Sequence, residues 1–229
     1  MSDHSPHASP LHGSLPPEGA GPHWERPGGA PFIYLASQSP RRKQLLEQWG
    51  TRCELLLPDP QEDSEALEVV KPNEAPARYV QRVTRLKLEA AVERLKRRGL
   101  PAAPVLCADT TVALGRTILG KPDSAAHARR MLSQLSGQKH QVLTAVAVAH
   151  KGHVFAALSR SSVEFAEMKP AEIARYVASG EPMGKAGAYA IQGKAALWAR
   201  QISGSYSGIM GLPAFETAQV LQAAGLRLL

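Results

Sequence analysis

The sequence predicts an α/β fold, and three observations carry that expectation. Residues 33–50 read as a short buried strand, a serine turn and a helix in immediate succession. A long helical stripe, from about residue 73 to 98, separates two more apolar, strand-like runs at 53–57 and 104–108. Residues 142–149 and 154–163 look like a long hairpin turning at Lys151-Gly152, with helical stretches before and after it. At 229 residues and 44% hydrophobic, the chain can bury a sizeable core as one large domain or two lobes.

Residues 1–30 are rich in Pro, Gly, Ser and His and lack apolar periodicity, so burial cannot offset the entropy of ordering them. A disordered tail is expected there, with His4 and His7 at most adventitious metal ligands. Ile33–Ala36 is then the first strand, Ser37, Gln38 and Ser39 make the turn, and Pro40 suits the first helical position because its φ is already helical. Ser39 is the expected N-cap; Leu45, Leu46 and Trp49 form the apolar stripe, and Gly50 stops the helix. Arg41 and Arg42 are out of place in the first turn. A helix N-terminus is partly positive, so each exposed cation there is unfavourable by up to about 1 kcal/mol. An anion docked on the free N–H groups reverses that sign and makes the segment a candidate phosphate cradle. The competing account is a surface helix whose arginines face water.

Cys53–Leu57 is strand-like, and the loop beyond Pro58 carries Asp59, Glu62, Asp63 and Glu65, acids that are either solvated or able to reach a metal. Asn73 is the expected cap of the long helix. Tyr79, Val83, Leu86 and Ala90 fall on its apolar side, and Arg78, Arg82 and Arg85 on an adjoining, solvated one. Lys87 borders the far edge of the apolar side, so its stem packs inward while its head snorkels to water or reaches along the surface into a cleft.

Pro104–Ala108 is a second buried strand with Asp109-Thr110-Thr111 at its end. Open α/β sheets bind ligands at such strand ends. Asp is also a common turn residue, but Val112–Leu114 continues as strand, which argues against a simple turn. Gly115 to Lys121 mimics the spacing of a P-loop, yet Pro122 supplies neither the hydroxyl nor the amide proton that motif needs. The window reads better as a hairpin turn and a strand ending in Lys121, a candidate phosphate contact. Ala125–Leu135 is helical, with Met131, Leu132 and Leu135 buried and Gly137 ending it. His150 and His153 flank the later hairpin turn as surface residues. Glu172–Ser179 is a short helix, Gly184–Gly193 a glycine-rich stretch holding Lys185, Tyr189 and Gln192, and Ser203–Gly208 a flexible hydroxyl-rich loop. Pro213 opens the last helix, anchored by Phe215, Val220 and Leu221.

Cys53 and Cys107 lie in apolar strand-like runs without a secretion signal ahead of them, so reduced core cysteines of a cytoplasmic protein are expected rather than a disulfide. No apolar stretch approaches bilayer-spanning length, so no membrane partner is expected. The formal charge is +7, from 27 Lys+Arg against 20 Asp+Glu. Residues 1–30 hold Asp3, Glu18, Glu25 and Arg26, a net of −2, which leaves +9 on residues 31–229. A basic body attracts nucleotides and nucleic acid alike. Nucleic-acid recognition would need a basic recognition helix or an aromatic platform, whereas aromatics are 5% and the arginines are dispersed.

Several windows together resemble the Maf family of nucleoside triphosphate pyrophosphatases: Leu35-Ala-Ser-Gln-Ser-Pro-Arg-Arg42, Ala108-Asp-Thr-Thr-Val112, Gly120-Lys-Pro122, Lys185-Ala-Gly-Ala-Tyr189 with Ile191-Gln-Gly193, and Gly204-Ser-Tyr-Ser207 with Gly211-Leu-Pro213. The likeness runs from about residue 32 to the C-terminus in the family's order, so the expected domain is 31–229. It implies a fold related to inosine triphosphate pyrophosphatase, a mixed elongated sheet flanked by helices with a nucleotide cleft between two lobes. It also implies hydrolysis of nucleoside triphosphates to monophosphate and pyrophosphate with a divalent cation (Mg2+ or Mn2+), a homodimer, nucleotide house-cleaning and a link to division arrest. By position, Asp109 matches the catalytic acid, and Ser37, Arg42, Lys87 and Lys121 line the triphosphate site, with Lys185 beside them. Glu62 matches an acid near the metal, which Asp109 shares. Arg41, Thr110 and Gln192 match three positions that separate enzymes of dTTP and UTP from those of 7-methyl-GTP, and all three look like the dTTP/UTP type. Gly184 stands where the family commonly has Asp, which bears on the number and placement of metal ions, and Ala190 replaces a frequent glycine.

The expected chemistry is an Asp109-primed water attacking the α-phosphorus in line with departing pyrophosphate, while cations neutralise the charge that builds on the leaving oxygens. The alternatives are a pyrophosphatase of 7-methyl-GTP, a nucleic-acid-binding regulator of septum formation, and a structural division factor. The last has no use for Asp109 and Lys121 flanking a cleft.

Overall fold

The computed structural model describes residues 32–63, 66–226 and 228; the expected tail at 1–30 and Glu65 lie outside them. Seven strands form one mixed sheet: β1 Ile33–Leu35, β2 Cys53–Leu55, β3 Val105–Leu114, β4 Thr117–Leu119, β5 Lys139–His150, β6 His153–Phe165 and β7 Ala199–Ser203. Their order is β2-β1-β3-β5-β6-β7, with β4 pairing β3 off that path. β1 runs parallel to β2 and β3, and every other pairing is antiparallel. The helices are α1 Pro40–Gln48, α2 Pro76–Arg97, α3 Ala125–Leu135, α4 Pro170–Ala178, α5 Tyr206–Met210 and α6 Ala214–Ala223.

Alternation along the central strands decides which helix each side chain meets. On β3, Leu106 and Ala108 pack with Leu45 and Leu46 of α1 and with Leu221 of α6, whereas Val105 and Cys107 pack with Leu88 and Ala91 of α2. Further along, Val112 joins a third cluster with Leu132 of α3, Tyr176 of α4 and Phe165 of β6. Asp109, Thr110 and Thr111 therefore form a polar interval between two apolar stretches of one strand. The sheet is also open there. β1 pairs with β3 only as far as Leu106, and β4 pairs only from Val112 onward. Both faces of the sheet reach this gap.

Several elements differ from expectation for local reasons. Asn73 does not cap α2: it sits at φ 58 in the turn closed by Glu74 N–H on Lys71 O, and Pro76 sets the helix start two residues beyond Glu74. Residues 203–208 are not all loop, because the Ser205 hydroxyl accepts from Gly208 N–H and caps α5. Phe215 is not an anchor of α6; it is 70% exposed, while Val220 and Leu221 are buried. Strand β7 carried no visible pattern: its Ala-Arg-Gln-Ile-Ser lies at the sheet edge with little buried. Both cysteines are free thiols, and no helix among the described residues is long and apolar enough to cross a membrane.

His140 of β5 is buried against Phe165, with its Nε2 2.9 Å from the Tyr189 hydroxyl. Burial pulls its imidazolium down from 6.5 to about 4. The unfolded chain therefore takes up this proton below pH 6.5 and the native fold only near 4. The associated stability is complete above 6.5 and is lost as pH falls to about 4, of order 3 kcal/mol in all. Urea unfolding across that window tests it: His140→Asn should flatten the slope by about one proton, and an unchanged slope would remove His140 as its source. Glu62 and Glu74, both held down at about 2 by arginine partners, act in a separate window below pH 4.5.

Candidate active site

On α2 the buried residues Val80, Thr84, Leu88, Ala91 and Arg94 recur at helical spacing, and Lys87 lies within that stripe rather than at its edge. Its ammonium accordingly points under the sheet edge, where Asp109, by the parity of β3, faces α2. Lys87 Nζ donates to Asp109 Oδ1 at 2.6 Å and to Glu68 Oε1 at 2.6 Å. Lys121, just beyond β4, donates to both Glu68 oxygens at 3.0 and 2.9 Å. The Tyr79 hydroxyl donates to Glu68 O at 2.9 Å and so fixes the short 3-10 turn at Ala66–Glu68. Burial pulls the Lys87 ammonium down, but Asp109 and Glu68 outweigh it and hold the group above its ordinary range. Burial likewise pushes the Glu68 carboxyl up, and Lys87 and Lys121 reverse it to a net lowering. The Lys87 ammonium and the Glu68 carboxylate are therefore both charged near neutrality.

Thr110 faces the opposite way, toward α1. Arg42 Nη2 donates to its Oγ1 at 3.3 Å, Nη1 to Ser37 Oγ at 2.9 Å, and Nε to Gly211 O at 2.7 Å. The Ser37 hydroxyl also accepts from Ser39 N–H at 3.2 Å. Thr144 of β5 donates to Gly208 O at 2.7 Å, which uses its only proton; Thr110, 3.0 Å away, must therefore donate to Thr144 and accept from Arg42. A directed chain thus runs from α1 through the core strands to α5. Arg41 Nε donates to Met210 O at 3.2 Å. Burial lowers the Arg41 guanidinium, with Arg42 adding to the effect, and burial then Arg41 lower the Lys185 ammonium. Arg41 is thus close enough to repel both Arg42 and Lys185, an arrangement that an anion relieves.

The loop bearing Lys185 is seated by Gly187, whose N–H donates to Gly120 O at 3.1 Å and whose φ is +68. A Cβ at Gly187 would lie 2.8 Å from a Val112 methyl, so only glycine lets the loop press on β3. Gln192 is exposed on the turn closed by Gly193 N–H on Ala190 O. Gly184 sits at φ +71 in open space.

Two bonded groups thus meet at the gap in the sheet, Lys87, Asp109 and Lys121 through Glu68 on one face and Ser37, Arg42 and Thr110 on the other. Arg41 is bonded to Met210 O beside the second, and Lys185 is near enough to Arg41 to feel its charge. Glu62 is bonded elsewhere. It receives Arg94 at 2.5 Å and Arg97 at 2.5 Å, which together hold its carboxyl down at about 2. The carboxylate beside Asp109 is Glu68, which sequence reasoning missed. It stands in a short 3-10 turn, outside any helical or strand periodicity, and no spacing announces it.

A mixed α/β protein with two carboxylates and five cations gathered at a break in its sheet is of the class that handles polyanionic substrates. The family description "Maf-like protein" matches residues 32–224. The chain belongs to that family. It is 65% identical over 199 residues to a Polaromonas protein named dTTP/UTP pyrophosphatase, covering 87% of this chain and 98% of that one. Proteins of the same name from Cupriavidus pinatubonensis and Burkholderia pseudomallei are 61% and 58% identical, covering 86% and 91% of this chain and 98% of each relative. Among solved structures, the Ham1 protein of Staphylococcus aureus matches at a TM-score of 0.40 and 15% identity, over 60% of this chain and 73% of that one.

Proposed function

We propose that this protein, through residues 31–229, hydrolyses dTTP and UTP to the monophosphate and pyrophosphate. The observation that carries the reading is the pairing on β3 of Asp109, held 2.6 Å from Lys87, with Thr110, held by Arg42 on the other face of the same gap. The names of relatives at 58–65% identity over nearly their whole length support the substrate choice.

Asp109 orients a water and takes its proton as the water attacks the α-phosphorus. Lys87, 2.6 Å from its Oδ1, keeps that carboxylate aimed. Lys121, Arg41, Arg42 and Lys185 bind the phosphate oxygens and neutralise the charge that develops on the leaving pyrophosphate. The helix start at Pro40, free of acidic residues in its first turn, adds unpaired N–H groups. Thr110 and Gln192 read the pyrimidine edge.

A divalent cation fits this donor set. Glu68 and Asp109 both contact the Lys87 ammonium, and among the described residues no group of three or more His, Cys, Asp or Glu is gathered. Mg2+ suits such a site, since it takes one or two carboxylates and draws its other ligands from water and substrate phosphates. Glu68 and Asp109 would hold it, and when bound it supplies charge stabilisation at the phosphates.

A panel of nucleoside triphosphates with Mg2+, scored for pyrophosphate release, tests the reading. dTTP and UTP should exceed 7-methyl-GTP and the purine nucleotides by at least about tenfold in kcat/KM. Equal rates on dTTP, UTP and 7-methyl-GTP would remove the substrate assignment, and release of orthophosphate alone would remove the reaction.

A further inference from the structure

Glu181, between α4 and the Lys185 loop, lies outside the two bonded groups described above, yet its bonds converge on two members of the proposed site. Its Oε1 accepts from Lys194 N–H at 3.0 Å and from the Tyr176 hydroxyl at 3.0 Å. Tyr176 in turn accepts from Ala190 N–H at 3.4 Å. Residues 190 and 194 bracket the turn that displays Gln192, so one carboxylate holds both ends of that turn, one directly and one through a phenol. The backbone carbonyl of Glu181 also accepts from Lys185 Nζ. Gly193 completes the fit: a Cβ there would lie 2.1 Å from Glu181 Oε1, so the turn approaches the carboxylate more closely than any side chain permits. Burial, then Glu181, push the Tyr176 hydroxyl above its ordinary range, which keeps it protonated as a donor to the carboxylate.

We propose that Glu181 is a specificity-positioning residue: its carboxylate clamps the Ala190–Lys194 turn so that Gln192 meets the pyrimidine edge, while its carbonyl steers Lys185 toward the phosphates. The inference rests on the pyrophosphatase reading above and deepens it. Glu181 touches no reacting atom. Freeing the turn costs base recognition and leaves the hydrolytic step, made by Asp109 and Lys87 on other elements, intact.

The test compares the full-length protein with Glu181→Ala, Glu181→Gln and Gly193→Ala, measuring kcat and KM on dTTP and dCTP together with Tm. Glu181→Ala should raise KM for dTTP about tenfold, hold kcat within about threefold, and cut the dTTP-over-dCTP preference about tenfold. Glu181→Gln should recover most of that preference, because an amide oxygen at the Oε1 position still accepts from both Tyr176 and Lys194. Gly193→Ala should reproduce the loss by displacing the carboxylate, and it carries the test if Glu181→Ala does not fold. Adding it to Glu181→Ala should then cost no further preference. Unchanged preference in both Glu181→Ala and Gly193→Ala, or an equal loss on both nucleotides that merely tracks Tm, would overturn the assignment while leaving the pyrophosphatase reading in place. A wild-type protein that hydrolyses neither nucleotide would overturn that reading, and this assignment with it.

Discussion

Asp109→Asn should leave a folded protein that still binds dTTP but releases pyrophosphate at least about a hundredfold more slowly, since removing a general base typically costs about 10²–10⁴ in rate. The substitution changes one atom and keeps the shape of the group. The amide oxygen can still accept from Lys87, now 2.6 Å from Oδ1, and the ammonium retains its second 2.6 Å bond to Glu68. No cation is therefore stranded, and the stability cost should stay near 1–2 kcal/mol. The proton-accepting lone pair is what disappears. Circular dichroism and nucleotide titration should match the parent while turnover collapses. Near-normal turnover in Asp109→Asn would place the base elsewhere and dismantle the proposed chemistry.

The sequence made the polar interval on β3 legible because an acid and two threonines interrupt a strand that resumes at Val112, and turn residues do not do that. The strand–serine turn–helix at 33–50 was equally plain, as was the oddity of two arginines in a first helical turn. How those arginines are used was not. Both direct their Nε atoms to carbonyls at Met210 and Gly211, some 169 residues away, a partnership no local pattern contains. In the sequence Lys87 reads as a border residue, because Tyr79, Val83, Leu86 and Ala90 make the more visible apolar stripe, yet Leu86 and Ala90 are only half-buried. The true stripe runs through Val80, Thr84, Leu88 and Ala91, and a buried threonine and a small alanine dilute that signal. The break in the sheet arises from where β1 stops and β4 begins, a property of three-dimensional pairing with no signature in one dimension.

The acids of the 58–68 segment give the second large effect. Glu68→Gln should lower turnover by about a hundredfold, whereas Glu62→Gln should leave turnover within about threefold of the parent and lower stability instead. The two residues differ in their partners. Glu68 shares the Lys87 ammonium with Asp109, so losing its charge weakens the candidate cation site and leaves Lys121 without its anion. Glu62 faces Arg94, whose side chain is only 4% exposed and also donates to Leu56 O at 3.0 Å. Neutralising Glu62 leaves a buried guanidinium half-paired, and because Glu62 is itself partly exposed the cost should be about 1–3 kcal/mol rather than that of a fully buried pair. Turnover against Mg2+ concentration, measured beside Tm, separates the two. Glu68→Gln should need at least about tenfold more Mg2+ for half-maximal rate with little change in Tm, while Glu62→Gln should lower Tm by several degrees with an unaltered Mg2+ requirement. The reverse pattern would return the metal-side acid to Glu62 and require the 58–68 segment to rearrange when nucleotide binds.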